Sequence, residues 1–267
     1  MHPFDYIQPG SVAEAVGLMR DTADARFLAG GMTLIPVMKQ RLAAPSLLID
    51  LARLAELRAI SAKGGTLTIG ALARHAAVAE SPVVQARIPA LASLAAGIGD
   101  AQVRNRGTIG GSLANNDPVA DYPAAMLALG ARIRTDRRCI DADAFFTGMF
   151  ATALEPDEMI IQVEVPVPEA AAYQKFEQPA SHYAVAGVMV AKAADGVRVA
   201  VTGAGSGVFR MPAMEAALAD DFTPAAITGI AVPADGLNAD LHASAEYRAH
   251  LVTVLAGRAV AAAMGRS

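Results

Sequence analysis

Ala29-Gly30-Gly31-Met32-Thr33-Leu34 and, about eighty residues further on, Gly107-Thr108-Ile109-Gly110-Gly111-Ser112-Leu113 are the stretches that decide the fold. Each double glycine precedes a run compatible with a helix. A glycine pair lets the backbone take positive φ and approach a ligand with no Cβ in the way. Consecutive N–H groups in such a turn form a nest for an anion. One pair alone reads as a tight turn. Two pairs in the same setting, each followed by a hydroxyl residue (Thr33 and Ser112), read as two backbone grips on one bulky anion, such as the pyrophosphate of a dinucleotide.

Outward from the first pair, Ser11-Val12-Ala13-Glu14 is a capping box that opens a helix through about Arg20. Residues 26–28 read as a strand, 33–42 as a helix with Pro36 in its first turn, and 47–51 as an apolar strand. Residues 1–51 therefore read β-α-β-α-β. Outward from the second pair, 66–70 alternates as a half-buried strand, and helices are expected at about 71–79 and 89–97. A polar loop should run to Asp121, followed by a helix from Tyr122 to Leu129 and strands at 131–135 and 160–165. Pro166-Val167-Pro168 marks a boundary. Beyond it, strands at 172–178, 183–193 and 197–203 precede helices at about 211–219, 223–231 and 243–263.

Composition narrows the function. The 267 residues leave room for two domains. They are 54% hydrophobic but only 5% aromatic, and no apolar run reaches the roughly 18 residues that a membrane span requires. Met1-His2-Pro3-Phe4-Asp5 has neither the basic start nor the apolar core of a secretory signal, so a cytoplasmic protein is expected. Cys139 is the only cysteine, which excludes an internal disulfide and a self-contained iron–sulfur or cysteine-rich zinc site. The five histidines show no metal spacing, so no metal is expected. A net charge of −4 without a basic block argues against nucleic acid as a partner.

Other features have bland readings beside sharper ones. Asp121 is either the N-cap of its helix or a carboxylate that accepts from ribityl or ribose hydroxyls. Arg104 and Arg106 are either solvated or neutralise a diphosphate or meet a partner. Cys139 reads as incidental and His75 as structural. Val199–Phe209 imitates a dinucleotide fingerprint, but Phe209 stands where another glycine is needed, and too little chain follows for a doubly wound sheet.

AGGMTLIPVMKQR (29–41), PSLLIDL (45–51) and IGDAQVRNRGTIGGSLANNDPVADYPAAMLALGA (98–131) resemble the FAD-binding medium subunit of the molybdenum hydroxylases, the carbon monoxide dehydrogenase and xanthine dehydrogenase family. Tyr173–Phe176, Val201–Gly205, Met214–Leu218 and Ser244–Leu251 extend the resemblance over essentially the whole chain. It implies an α+β fold: a two-subdomain FAD-binding domain of the PCMH type over 1–168, split near 55 into a small α/β unit and a larger α+β unit. A C-terminal α+β domain over 169–267 follows, with a three-stranded antiparallel sheet and a helical bundle.

By the same resemblance, Ala29, Gly30, Gly31, Met32, Thr33 and Leu34 grip the FAD pyrophosphate from one side, and Thr108, Ile109, Gly110, Gly111 and Ser112 grip it from the other. Ile49 and Leu51 border the adenine. Asn115 and Asp121 serve the ribityl or polar flavin edge, Asp117 between them belongs to the same cofactor-binding set, Lys175 occupies a recurrent position, and Tyr183 covers the ring. Asn115-Asn116 and Gln178 depart from the histidine and the basic residue that many relatives carry there.

The implied function is that of an oxidoreductase electron-transfer subunit. A large molybdenum-cofactor subunit and a small iron–sulfur subunit would complete a heterotrimer, alone or dimerised. The alternatives are a self-sufficient flavoenzyme, with His182 and Tyr183 as its candidates for acid–base work, and a non-redox nucleotide-binding module.

Overall fold

The computed structural model describes residues 1–265. Its first unit has the expected β-α-β-α-β order. Asp5–Ile7, Leu47–Asp50 and Arg26–Leu28 form a parallel sheet in that spatial order. The middle strand is buried along its whole length: Leu47, Leu48 and Ile49 are apolar, and the buried Asp50 carboxylate accepts from the Gln8 side chain and the Ala52 N–H. Ala15 and Val16 of the helix Val12–Asp21 pack on Leu47 and Ile49. Ser11 caps that helix by accepting from the Glu14 N–H at 3.2 Å, while Glu14 reaches back to the N–H of Gly10. The same core takes in Leu72 and Met159 from the next unit.

The middle unit is a five-stranded antiparallel sheet in the order Ile60–Lys63, Thr66–Gly70, Ile160–Pro166, Arg132–Thr135 and Cys139–Asp141. The two outer strands escaped the sequence reading because they are short and half polar, as edges are. Further helices were also missed, the single turn Ala142–Phe145 among them. Pro82–Arg87 starts on a proline after the Ser81 cap, and Ala101–Arg106 is capped by Asp100, which accepts from the Val103 N–H at 2.8 Å. The helix expected from residue 71 begins instead at His75. The carbonyls of Ala71 and Ala73 are turned sideways and accept from the N–H groups of Gly110 and Ile109.

That lateral pairing also corrects the second glycine stretch. It is not a turn but the first turn of the helix Ile109–Asn115, with Thr108 as its cap. The expected polar loop to Asp121 therefore starts only after Asn115.

The C-terminal unit has four strands rather than three: Ala170–Glu177, Ala184–Ala193, Gly196–Thr202 and Phe209–Arg210, all antiparallel. The fourth is two residues long and leaves no periodic signal. Ala184–Ala193 serves two cores at once. Ala186, Val188 and Val190 face one cluster with the helix Ala245–Ala263, while Met189 and Ala191 join the core of the middle unit. On that side lies the helix Asp121–Ala128, every residue of which is buried. The helix expected over 223–231 is confined to Pro224–Ile227. Among the described residues no helix is long and apolar enough to cross a membrane.

Candidate cofactor-binding site

A cavity of about 600 Å³ is lined by residues from all three units, a size typical of small-molecule sites. Its first wall is the segment that leaves the strand Arg26–Leu28 and enters the helix Leu34–Lys39. Ala29, Gly30, Gly31, Met32, Thr33 and Leu34 all line it. Gly31 sits at φ +75°, where a side chain would be strained. The N–H groups of residues 30–34 meet no acceptor among the described residues. They are a row of open donors, which suits an anion.

The opposite wall differs. Thr108, Gly110, Gly111 and Ser112 line the cavity, but their helix has already used its amides. Ile109 N–H donates to Ala73 O at 3.0 Å, Gly110 to Ala71 O at 2.9 Å, Gly111 to Thr108 Oγ1 at 3.1 Å, and Ser112 to Thr108 O at 3.0 Å. This wall offers a bare glycine face and hydroxyls instead of a second nest. The two walls touch. A Cβ on Gly30 would collide with the carbonyl oxygen of Arg106, and one on Gly111 would stand 2.9 Å from Thr108 Oγ1 and 3.9 Å from the Ala29 Cβ. Side chains would close the seam. Open amides, a side-chain-free seam and flanking hydroxyls fit a pyrophosphate. Leu51 lines the cavity, whereas Ile49 and Ile109 are fully buried in the cores behind the walls.

Asn115, Asp117 and Asp121 form the polar floor. Asp121 is not the N-cap of its helix; Ala120 is, and it provides no side-chain cap. The Asp121 carboxylate, 4% exposed, accepts from the Tyr173 hydroxyl at 2.5 Å and pairs with Lys175 at 3.2 Å. Burial pushes the Asp121 carboxyl up, and the Lys175 charge and the Tyr173 phenol pull it back. Lys175 stands behind the cavity wall rather than in it. Its ammonium also donates to Gly97 O at 2.8 Å and to His182 O at 3.0 Å. Tyr173 reaches Asp121 across Gly187, where a Cβ would strike the phenol oxygen.

The lid is Ser181-His182-Tyr183. Tyr183 is half exposed, and its phenol is pushed up by burial and then by the charges of Asp117 and Asp121. Gln178 shapes the lid: its side-chain oxygen accepts from the N–H groups of Ala180 and Ser181, and its backbone pairs with Tyr183 and His182. His182, at φ +59°, turns its ring to Glu177 at 3.4 Å. Asn116, at φ +43°, ends the helix and holds the carbonyls of Gly148 and Ala151, leaving Asn115 at the cavity. The two departures noted in the sequence thus organise backbone.

Sequence reasoning missed Ile98, Gly99, Val103, His75, Glu158 and Met159 as lining residues. The first three lie in the quoted 98–131 stretch and could have been found there. Arg104 donates to the carbonyls of Ile98 and Gly99, so it folds that loop rather than standing free for an anion.

An α+β chain that sets open amides, a glycine seam, a carboxylate floor and an aromatic lid around one cleft is a nucleotide-cofactor protein by class. A family model described as the FAD binding domain in molybdopterin dehydrogenase matches residues 2–168; the chain belongs to that family, and its cofactor is FAD. The carbon monoxide dehydrogenase medium chain of Hydrogenophaga pseudoflava is 38% identical over 98% of both chains. The nicotine 6-hydroxylase medium subunit of Paenarthrobacter nicotinovorans is 36% identical over 98% of both. The solved carbon monoxide dehydrogenase from Hydrogenophaga pseudoflava that lacks the Mo-pyranopterin moiety superposes with a TM-score of 0.90, covering 100% of this chain and 99% of that one at 38% identity. Quinoline 2-oxidoreductase from Pseudomonas putida 86 also gives 0.90, at 29% identity and the same coverage.

Proposed function

We infer that this chain is the FAD-carrying electron-transfer subunit of a heteromeric molybdenum hydroxylase. A large partner with the molybdenum cofactor oxidises the substrate. A small partner with [2Fe-2S] clusters delivers the electrons to this chain, which passes them to an external acceptor. Bound FAD supplies the redox chemistry. The row of open amides at residues 30–34 against the glycine seam carries the reading. Cys139 stands alone and exposed, so the clusters belong to another chain. The near full-length match to two medium subunits supports the same division of labour.

The proposed roles follow the walls. Ala29, Gly30, Gly31, Met32, Thr33 and Leu34 hold the pyrophosphate through their backbone, and Thr108, Gly110, Gly111 and Ser112 hold it with hydroxyls and a close glycine face. Ile109 and Ile49 support these walls from the core, and Leu51 borders the adenine. Asn115, Asp117 and Asp121 meet polar edges of the ribityl or flavin, Lys175 sets the charge of Asp121, and Tyr183 covers the ring. The FAD-binding domain ends near residue 168, where the family match ends, and divides near residue 55. The cytoplasm is the proposed location.

The test is titration of flavin-free protein with FAD, on the wild type and Gly111→Val. The valine methyls would fill the seam towards Ala29, so FAD binding should be lost while the fold survives. Unchanged flavin occupancy would place the pyrophosphate elsewhere. Isolation of the native chain without molybdenum and iron–sulfur partners, together with substrate turnover by the chain alone, would refute the electron-transfer role.

A further inference from the structure

The stretch that imitates a dinucleotide fingerprint has another task. Thr202 ends the strand Gly196–Thr202 and is fully buried. Its hydroxyl lies 2.7 Å from the carbonyl oxygen of Ala120 and 3.0 Å from that of Pro118. The next N–H, on Gly203, donates to the same Pro118 carbonyl at 2.9 Å. Gly203 sits at φ +80°, and a Cβ there would strike the carbonyl of Ala184, so only glycine permits the approach. From behind, the buried Arg248 donates to Gly203 O at 3.0 Å and to Val185 O at 2.5 Å, and pairs with Asp240 at 2.6 Å.

The gripped carbonyls belong to the short turn between Asp117 and Asp121, both of which line the cavity. Within that turn Asp117 accepts from Val119 N–H through its side chain and from Ala120 N–H through its backbone. A shift of Pro118 or Ala120 therefore shifts both carboxylates.

We propose that Thr202 and Gly203 are positioning residues for the flavin site: the C-terminal unit fixes where Asp117 and Asp121 stand. The proposal rests on the reading of these carboxylates as flavin contacts. A threonine-to-valine change keeps the shape and removes the one proton shared by the Pro118 and Ala120 carbonyls, a loss large enough to weaken binding about tenfold if it is felt at the floor.

The experiment uses the full chain freed of flavin and titrated with FAD by fluorescence, with visible circular dichroism of the bound flavin recorded in parallel. Thr202→Val should raise the FAD Kd about tenfold and alter the flavin dichroism, and Thr202→Ser should restore both. Wild-type Kd and dichroism for the valine variant, or a serine variant as impaired as valine, would overturn the proposal. If valine prevents folding, Thr202→Ala is compared with Thr202→Ser instead. Weakened binding by the alanine variant with normal binding by the serine variant supports the clamp, and equal binding by the two overturns it. Asp121→Asn separates the levels. If it leaves Kd and dichroism unchanged, the carboxylate reading fails and the clamp with it. If it changes both while Thr202→Val changes neither, only the clamp fails.

Discussion

Two buried residues at the cavity wall make the fold acid-sensitive over successive pH ranges. Glu158 accepts from Arg138 at 2.7 and 2.8 Å, from the Thr135 hydroxyl at 2.7 Å and from the Glu155 N–H at 2.9 Å. The Arg138 guanidinium holds its carboxyl at about 2, below the usual 4.5. A carboxyl with a lowered folded pKa contributes stability that is complete above its unfolded value and disappears as pH falls, here between 4.5 and about 2. Arg138 is 43% exposed, so water screens part of the attraction. Glu158→Gln should therefore cost about 2 kcal/mol at pH 7, with the deficit shrinking below pH 4.5. Denaturant unfolding of both proteins at pH 7 and pH 3 checks this, and a deficit independent of pH would assign Glu158 to packing alone. His75 acts at higher pH. Burial lowers it from 6.5 to about 4, so between those values the unfolded chain takes up the proton first and the wild type loses stability. His75→Gln should flatten that first stage. Cys139, exposed on an edge strand, should tolerate serine with flavin content unchanged.

At the scale of the element, the helix Ile109–Asn115 is held by its tertiary setting more than by its composition, since glycine disfavours a helix by nearly 1 kcal/mol. Thr108→Ala removes the cap on Gly111 N–H and should cost about 1 kcal/mol in chemical unfolding. Gly110→Ala should cost considerably more, because its Cβ would stand 2.7 Å from the Cβ and 2.8 Å from the carbonyl oxygen of Ala71. Equal losses would contradict this account of the seam. The β-α-β-α-β unit was legible in the amino-acid sequence because its signals are local: the Ser11 cap, the apolar run at Leu47–Ile49 and glycines between strand and helix. Glycines 110 and 111 read as a turn because the carbonyls that anchor their helix, on Ala71 and Ala73, come from far along the chain. Asp121 looked like a cap for the same reason: Tyr173 and Lys175, its actual partners, lie 52 and 54 residues away. Both glycine stretches were legible as site walls, but their unequal supply of free amides depends on those distant carbonyls.

For the whole molecule, the cavity and the joint between units are one structure. Lys175 of the C-terminal sheet binds Asp121 of the middle unit, the carbonyl of Gly97 and the carbonyl of His182 in the lid, with only 9% of its side chain exposed. Lys175→Met removes the cation and leaves the Asp121 carboxylate buried among neutral groups, which should cost about 3–5 kcal/mol. Adding Asp121→Asn should recover part of that loss, because the orphaned charge is gone; a double variant as unstable as the sum of the singles would show that the pair is not coupled. FAD contacts walls from all three units in the proposed site, so it binds the folded chain and not the unfolded one. At a hundredfold excess over Kd it should add about 2.7 kcal/mol to the wild type, read as a rise in Tm. In Lys175→Met the lid and floor lose their common anchor, so the same FAD concentration should raise Tm by less than in the wild type. An equal rise in both proteins would mean that Lys175 braces the fold without shaping the site.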